Sequence, residues 1–319
     1  MRAAHQRGVQ KFLFPPLHGP RGPCIFLRPS GDVFSTLIRG RFKRVSPLGL
    51  IAGEGVFPLL VARGARASGR RVVCAGLAGC AWPDVQTEVD VYKSVGVLRL
   101  GQWVRHLRRH GVTEAIMVGR VRKAHMYSRW RFVQFVPDLR TLRIYFTTLR
   151  HDKRDHAVLL TVASELAKEG ITLIDSTTYT SDQLATPGVM TRREPTAGQW
   201  QDIQFGMELC RTISRLDIGQ SLAVLDKDVI AVEAIEGTDA MIDRAGKYCR
   251  TGGWTLIKVA NTKQDMRMDV PSVGTTTIEK LAGARAGCLV LEVGKTILLE
   301  KQKVLELADK LGVVVVGWE

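Results

Sequence analysis

The feature that most constrains this chain is an alternation of short apolar runs with longer amphipathic ones. "LGLIA" (48–52) is followed by a tight "GEG" turn and then by "VFPLLVARGARASG", whose apolar spacing suits a helix ending near Ser68, with Gly69 beyond it. Pro58 falls where the first turn of a helix tolerates it. "RRVVCAGL" reads as a second strand, "GQWVRHLRRHG" as a helix closed by Gly111, and "EAIMVGRV" as a third strand. A chain that repeats strand, helix, strand buries both faces of its strands by building a parallel sheet with helices over it.

The pattern resumes with a helix from Asp155 to Gly170 and the strand "ITLID". Residues 176–197, containing "TPGVMTRREPT", are loop-rich and read as a hinge. Beyond them come a long helix, "QWQDIQFGMELCRTISRLD", and two strands in "SLAVLDKDVIAVEAI" that turn at Asp226-Lys227. The tail reads helix, strand "TLIKVA", loop, helix "TTTIEKLAGARAG", strands "CLVLEV" and "TILLE", helix, and final strand "VVVVGW". The expectation is two α/β domains with largely parallel, Rossmann-like sheets. They span 46–180 and 198–319, with a linker over about 181–197, and a chain of 319 residues is long enough for two such cores.

Composition narrows the class. With 45% apolar and 24% charged residues the chain is of ordinary globular type. It contains no run of about 18 apolar residues that would span a bilayer. Its six cysteines are scattered without a Cys-x-x-Cys pair, which points to small buried thiols in a reducing cytoplasm. The net charge of +15 is regional. Residues 1–44 carry nine Lys/Arg against one Asp, residues 99–154 carry fourteen against three acids, and the remainder is acidic on balance. The first 44 residues are rich in Pro, Gly and Arg without periodicity and read as a disordered basic extension. The 99–154 segment could meet an anionic partner, whether nucleic acid, phosphorylated substrate or lipid surface, or be a solvated basic face.

Four places could carry chemistry. Gly53-x-Gly55 opens like a dinucleotide turn, but Pro58 stands at the third position and "VVCAGLAG" ends the next strand without an acid. A nicotinamide site is therefore disfavoured, while a phosphate or nucleoside held by backbone amides and a purely structural strand–turn–helix both stay open. His106 and His110 have a metal-compatible spacing but sit among cations in "RHLRRHG", which favours a basic face. In "RMDVPSVGTTTIEK", Thr276 and Glu279 form a capping box, while Asp269 is placed to hold a hard cation or orient water, with Lys258, Lys263 and Arg267 upstream. In "VEAIEGTDAMIDRAG", Thr238 or Asp239 could cap a helix, and Glu233 and Glu236 read as one-faced acids on the preceding strand, suited to a divalent metal or a general base.

These motifs, together with "LGLIAGEGVFPLLVARGA", "TPGVMTRREPT" and the closing "AGCLVLEVGKTILLEKQKVLELADKLGVVVVG", occur in an order that resembles the UDP-2,3-diacylglucosamine pyrophosphatase family of the I type, from lipid A biosynthesis. The resemblance covers about residue 46 to the end. It implies a cytoplasmic, magnesium-dependent hydrolase with the substrate lying between its two domains. The resemblance further implies that water attacks the α-phosphorus of UDP-2,3-diacylglucosamine to release UMP and 2,3-diacylglucosamine 1-phosphate. The aspartate of the family's Asp-aliphatic-Pro motif, here Asp269, is the residue on which turnover depends and the expected metal ligand, with Glu236 and Asp239 as supporting acids. Gly53, Gly55, Val56, Gly119, Gly237, Thr238, Lys258, Thr275 and Thr276 are the expected substrate-binding positions.

The implied partners are the lipid substrate and, transiently, the inner membrane surface, where the protein would be peripheral. A homodimer is compatible with this reading and nucleic acid is not among the implied partners. The alternative from the residues is a non-catalytic nucleotide-sugar or nucleic-acid binding protein using the basic 99–154 segment. The chain departs from the family at Asn261-Thr262, where Lys-Pro is usual, at Asp155-His156-Ala157, where Asp-Asp-Ala is usual, and in "VGRVRKAHMYSR", where relatives often carry a proline.

Overall fold

A computed structural model describes residues 46–121, 136–150, 155–261, 267 and 270–319. The basic extension, residues 1–44, lies outside the described residues. The chain enters through strand β1 (Leu48–Ala52), buried along its whole length, and turns into helix α1 (Phe57–Ala67). Gly69 follows with φ +74°, the left-handed conformation that ends a helix without a Cβ penalty. Strand β2 (Val72–Leu77) leads through a 3-10 turn, Pro83–Glu88, to β3 (Val91–Val95). Helix α2 (Leu100–Arg109) and β4 (Glu114–Val118) come next. Helix α3 (Leu139–Ile144) runs on as a π turn, Tyr145–Leu149, and α4 (Asp155–Ala167) and β5 (Thr172–Leu173) complete this half.

All five strands pair in parallel, in the order β3-β2-β1-β4-β5. The period-two alternation of side chains divides each strand between two cores. Leu48, Leu50 and Ala52 pack with Val61, Ala62 and Ala65 of α1, whereas Ile51 packs with Trp103, Leu107 and Leu166 from α2 and α4. Chain order reverses between β1 and β4, and in an open parallel sheet that point leaves a crevice at the carboxyl ends of the strands.

The second half begins with a 3-10 turn at Ser181–Gln183 and strand β6 (Gly188–Val189), which pairs antiparallel to the last strand of the chain. The stretch read as a linker is thus partly woven into the second sheet. Helix α5 (Ala197–Arg215) is followed by β7 (Ser221–Leu225), β8 (Asp228–Val232), α6 (Thr238–Tyr248) and β9 (Thr255–Lys258). Then come β10 (Ser272–Val273), α7 (Thr275–Gly283), β11 (Cys288–Glu292), β12 (Ile297–Leu298), α8 (Lys301–Leu311) and β13 (Val314–Trp318). The sheet order is β6-β13-β11-β9-β7-β8, with the three central strands parallel and the other three antiparallel to their neighbours. Asp226 and Lys227 turn the β7–β8 hairpin with φ +51° and +62°, as a two-residue hairpin of the primed type requires. Helix α5 covers one face through Ile203, Met207 and Cys210, and α6, α7 and α8 cover the other.

Three sequence readings change. Strand β8 ends at Val232, so Glu233 and Glu236 lie beyond it and part company: Glu233 is buried and Glu236 is exposed. The capping box expected at Thr276 and Glu279 does not form, because Gly274 is the cap residue of α7 and no side chain caps it. A capping box does form at Thr196 and Gln199, where it starts α5. Thr238 and Asp239 do not cap α6 either; the cap residue is Gly237. Among the described residues the five cysteines are free and buried, and burial pushes the thiols of Cys74, Cys210 and Cys288 up to about 12. No helix among the described residues is long and apolar enough to cross a membrane.

The histidine pair serves the first core. His106 is 6% exposed, its Nε2–H donates to the Cys74 carbonyl at 3.1 Å, and its ring meets His110 edge-on at 5.1 Å between centroids. Burial lowers its pKa below the ordinary 6.5 against the opposing effect of that carbonyl, helped by the charges of Lys93 and Arg109. The unfolded chain therefore takes up a proton at a higher pH than the native one. Stability from neutral His106 is complete above about pH 6.5 and is lost as pH falls through the lowered native value. The urea midpoint is expected to fall as pH drops below about 6.5 towards the lowered native value, and less steeply in His106→Gln, which keeps a donor; equal slopes would refute this origin.

Candidate active site

Two structured places gather the residues singled out in the sequence. The first lies at the switch point of the five-stranded sheet. Gly53 N–H donates to the Val118 carbonyl at 2.8 Å, and Glu54 and Arg120 exchange backbone hydrogen bonds at 2.9 Å, continuing the β1–β4 contact past the strand ends. The two backbones meet so closely that a Cβ on Gly53 would stand 2.7 Å from the Gly119 carbonyl carbon, and one on Gly119 2.7 Å from that of Gly53. Gly55 (φ +113°) faces open space, and α1 begins after Val56 with no side-chain cap and no acid in its first turn. The amides at this helix start are thus available to an anion.

The second place is at the carboxyl end of β9. Lys258 is only 5% exposed, and its Nζ donates to Thr238 Oγ1 at 2.8 Å. Thr238 in turn donates to Glu233 Oε1 at 2.8 Å, so one hydroxyl links a buried ammonium to a buried carboxylate. Gly237, with φ +83°, sets the approach that places Thr238 at the first position of α6. Glu233 accepts at that helix start, where the dipole favours an anion. Ser221 lies opposite Lys258 in the antiparallel register of β7 and β9. Glu233 Oε2, Ser221 Oγ and Gln220 Oε1 are buried without a hydrogen-bond partner among the described residues, a concentration of unmet polar atoms that a ligand could satisfy.

Around this centre, Glu292 ends β11 at 7% exposure, accepting from Ala260 N–H at 3.0 Å and Lys295 Nζ at 2.7 Å. Sequence reasoning missed Glu292, Ser221 and Gln220. The available signal for the first is an acid closing a wholly apolar strand, "CLVLE". Glu236 and Asp239 stand on the outer side of the turn. Glu236 pairs with Arg244 at 2.7 Å, and Asp239 is 3.7 Å from Lys280, which also lies 3.6 Å from Asp243. Thr275 and Thr276 occupy the first two positions of α7, after Gly274.

Asp269 and Lys263 lie outside the described residues. The residue after Asp269, Val270, packs on the core that contains Phe57 and Ile297, as does Val56 of the glycine turn. The chain leading to α7 is thereby anchored against the first domain. Strand β12, which pairs with β10, places Ile297 fully buried in that same core.

Two outcomes test these contacts. Gly53→Ala should destabilise the fold by about 1–3 kcal/mol in urea unfolding, because neither backbone can retreat without breaking the strand-end pairing. A variant as stable as the parent would mean that the approach of β1 to β4 is looser than described. Thr238→Val and Glu233→Gln should be non-additive, with a coupling of about 0.5–3 kcal/mol in a double-mutant cycle. Strict additivity would show that the hydroxyl does not join the two buried charges.

The fold and these contacts can now be set beside known proteins. Residues 47–183 match the LpxI N-terminal domain and residues 186–316 the LpxI C-terminal domain. The UDP-2,3-diacylglucosamine pyrophosphatase LpxI of Caulobacter vibrioides is 32% identical over 281 residues, covering 85% of this chain and 96% of that protein. Both domains are matched in order, and the alignment takes in nearly all of the relative, so the chain belongs to the LpxI family.

Proposed function

We propose that this enzyme hydrolyses the pyrophosphate bond of UDP-2,3-diacylglucosamine in lipid A biosynthesis, giving UMP and 2,3-diacylglucosamine 1-phosphate. The likeness to the Caulobacter protein supplies the substrate class. The observation that carries the reading in this chain is the buried Lys258–Thr238–Glu233 relay at the head of α6. A pyrophosphate diester needs fixed positive charge near its phosphoryl oxygens, in a place from which water is largely excluded. The Lys258 ammonium supplies such a charge, held in orientation by the hydroxyl and carboxylate behind it. The glycine turn before α1 and the start of α7 offer backbone amides to further phosphate oxygens.

In the proposed step a water oxygen forms a bond to the α-phosphorus while the bond from that phosphorus to the bridging oxygen breaks. The bridging oxygen leaves on the sugar phosphate, and the protons of the attacking water pass to a base and then to solvent. Asp269 is proposed to orient that water. The substrate is proposed to lie between the two domains, with its diacylated end at the cytoplasmic surface of the inner membrane during transfer.

Magnesium is part of this proposal. Among the described residues no three acids, histidines or cysteines gather to hold a metal. Glu236 pairs with Arg244 and Asp239 lies 3.7 Å from Lys280, so both are proposed as supporting acids rather than as direct ligands. Magnesium takes only one or two protein carboxylates when substrate phosphates and water complete its shell, so the share asked of the protein is small. Glu233 Oε2, buried without a hydrogen-bond partner among the described residues, is an oxygen of the right chemistry, and Asp269 is the proposed ligand. When bound, magnesium would neutralise phosphate charge and make the phosphorus more electrophilic.

The decisive assay supplies UDP-diacylglucosamine in detergent, with magnesium or with a chelator, and measures UMP. Release is expected with magnesium, and hydrolysis in heavy-oxygen water should place the label in UMP. Label in the sugar phosphate would move the attack to the other phosphorus. Asp269→Ala is expected to lower turnover by about a thousandfold and Lys258→Met by about a hundredfold, both with native circular dichroism. Near-normal turnover in Asp269→Ala would remove that residue from the mechanism. No UMP under any condition, with binding that falls steeply in salt, would favour a non-catalytic binder acting through its cations.

A further inference from the structure

Helix α3 is fixed from within. Asp138 accepts from Thr141 N–H at 2.9 Å and from Gly101 N–H of α2 at 2.7 Å, Leu100 N–H donates to Thr141 Oγ1, and Ile144 is buried. Arg140 reaches Glu165 of α4 and Glu169 just beyond it. The opposite face carries Leu139, Leu142 and Phe146, spaced three and four apart, at 86%, 40% and 58% exposure. Val136, just before the helix, is 52% exposed. A packed surface helix ordinarily shows the reverse, with its apolar residues turned inward.

Cations frame this stripe. Arg143 is exposed on the same face, and Arg99 donates through Nε to the Val136 carbonyl at 3.2 Å. Arg99 also lines a cleft of about 500 Å³ with Lys93, Arg105, Arg109 and Gln102, and none of the lining residues is acidic. Exposed apolar side chains beside several cations are the two elements that bind a protein to an anionic bilayer. We infer that the outward face of α3 and the basic cleft beside α2 dock this protein on an anionic lipid surface.

Charge argues for that occupant over others. A second copy presenting the same face would set cations against cations. Residues 122–135, which precede α3 in the chain, contain Arg122, Lys123, Arg129 and Arg131 and no acid, so they supply no carboxylate to neutralise the cleft. A nucleic acid would engage the cations but leave Leu139 and Phe146 in water. The purpose of docking rests on the proposed reaction, because a diacylated substrate resides in a membrane and must be collected there.

The test is sedimentation of the full-length protein with vesicles of phosphatidylcholine, alone or mixed with phosphatidylglycerol. Binding is expected to be about tenfold or more stronger to the anionic vesicles and to weaken as salt rises. Leu139→Ser with Phe146→Ser, and separately Arg105→Glu with Arg109→Glu, should each reduce vesicle binding about tenfold or more while leaving UMP release from detergent-dispersed substrate unchanged. Equal binding to neutral vesicles, or unimpaired binding by both variants, would overturn the inference. So would a monomer–dimer shift caused by the serine variant without loss of vesicle binding, or tighter retention on a single-stranded polynucleotide. Absence of UMP release from the unsubstituted protein, with its vesicle binding intact, would instead sink the proposed reaction, which keeps the two failures apart.

Discussion

A buried ammonium is the constraint on which the second domain is arranged. Moving an unsupported charge out of water costs several kcal/mol, so Lys258, at 5% exposure, requires partners. The sheet supplies the position, since β9 is central and its last residue falls where the strand ends. The turn after β8 supplies the anion, because it carries Glu233 inward and Glu236 outward. Helix α6 supplies the bridge by opening at Gly237 and presenting the Thr238 hydroxyl to both charges. Each of these local features has a separate cause, and they converge on one lysine.

The elements were largely legible because their signals are local. β1 is "LGLIA" as read, the Asp226-Lys227 hairpin turn adopts the left-handed pair it demands, and Gly69 and Gly111 close their helices. Strand β3 was not read, because "VYKSV" is an edge strand that is only partly buried and mixes polar with apolar residues. Helix α3 was hidden for the opposite reason: its apolar residues face outward and its inward contacts are made by Asp138, Arg140 and Thr141, which reverses the usual pattern.

In the candidate site the sequence named Thr238 and Lys258 but had no means of joining them, since twenty residues separate them and the return of the chain through α6 to the end of β9 decides their contact. Capping at Thr276 failed as a reading because Gly274 begins the helix two residues earlier. Whether an acid on a turn faces in or out depends on one or two dihedral angles, which explains why Glu233 and Glu236 looked alike in the chain and differ in the fold. Asp269 stood out in the sequence through the cations upstream of it and the helix start after it, and the family resemblance added its expected role in turnover.

The meeting of Gly53 and Gly119 has a consequence for redesign. At this seam the ends of β1 and β4 touch through main chain, and their separation is set by two absent Cβ atoms rather than by any side chain that substitution could shorten. Enlarging or reshaping a pocket normally proceeds by trimming what projects into it; here nothing projects from these two positions. Redesign at this strand end would have to work through the neighbouring side chains, such as Val56, and the loops that follow the strands, with the two glycines left as they are.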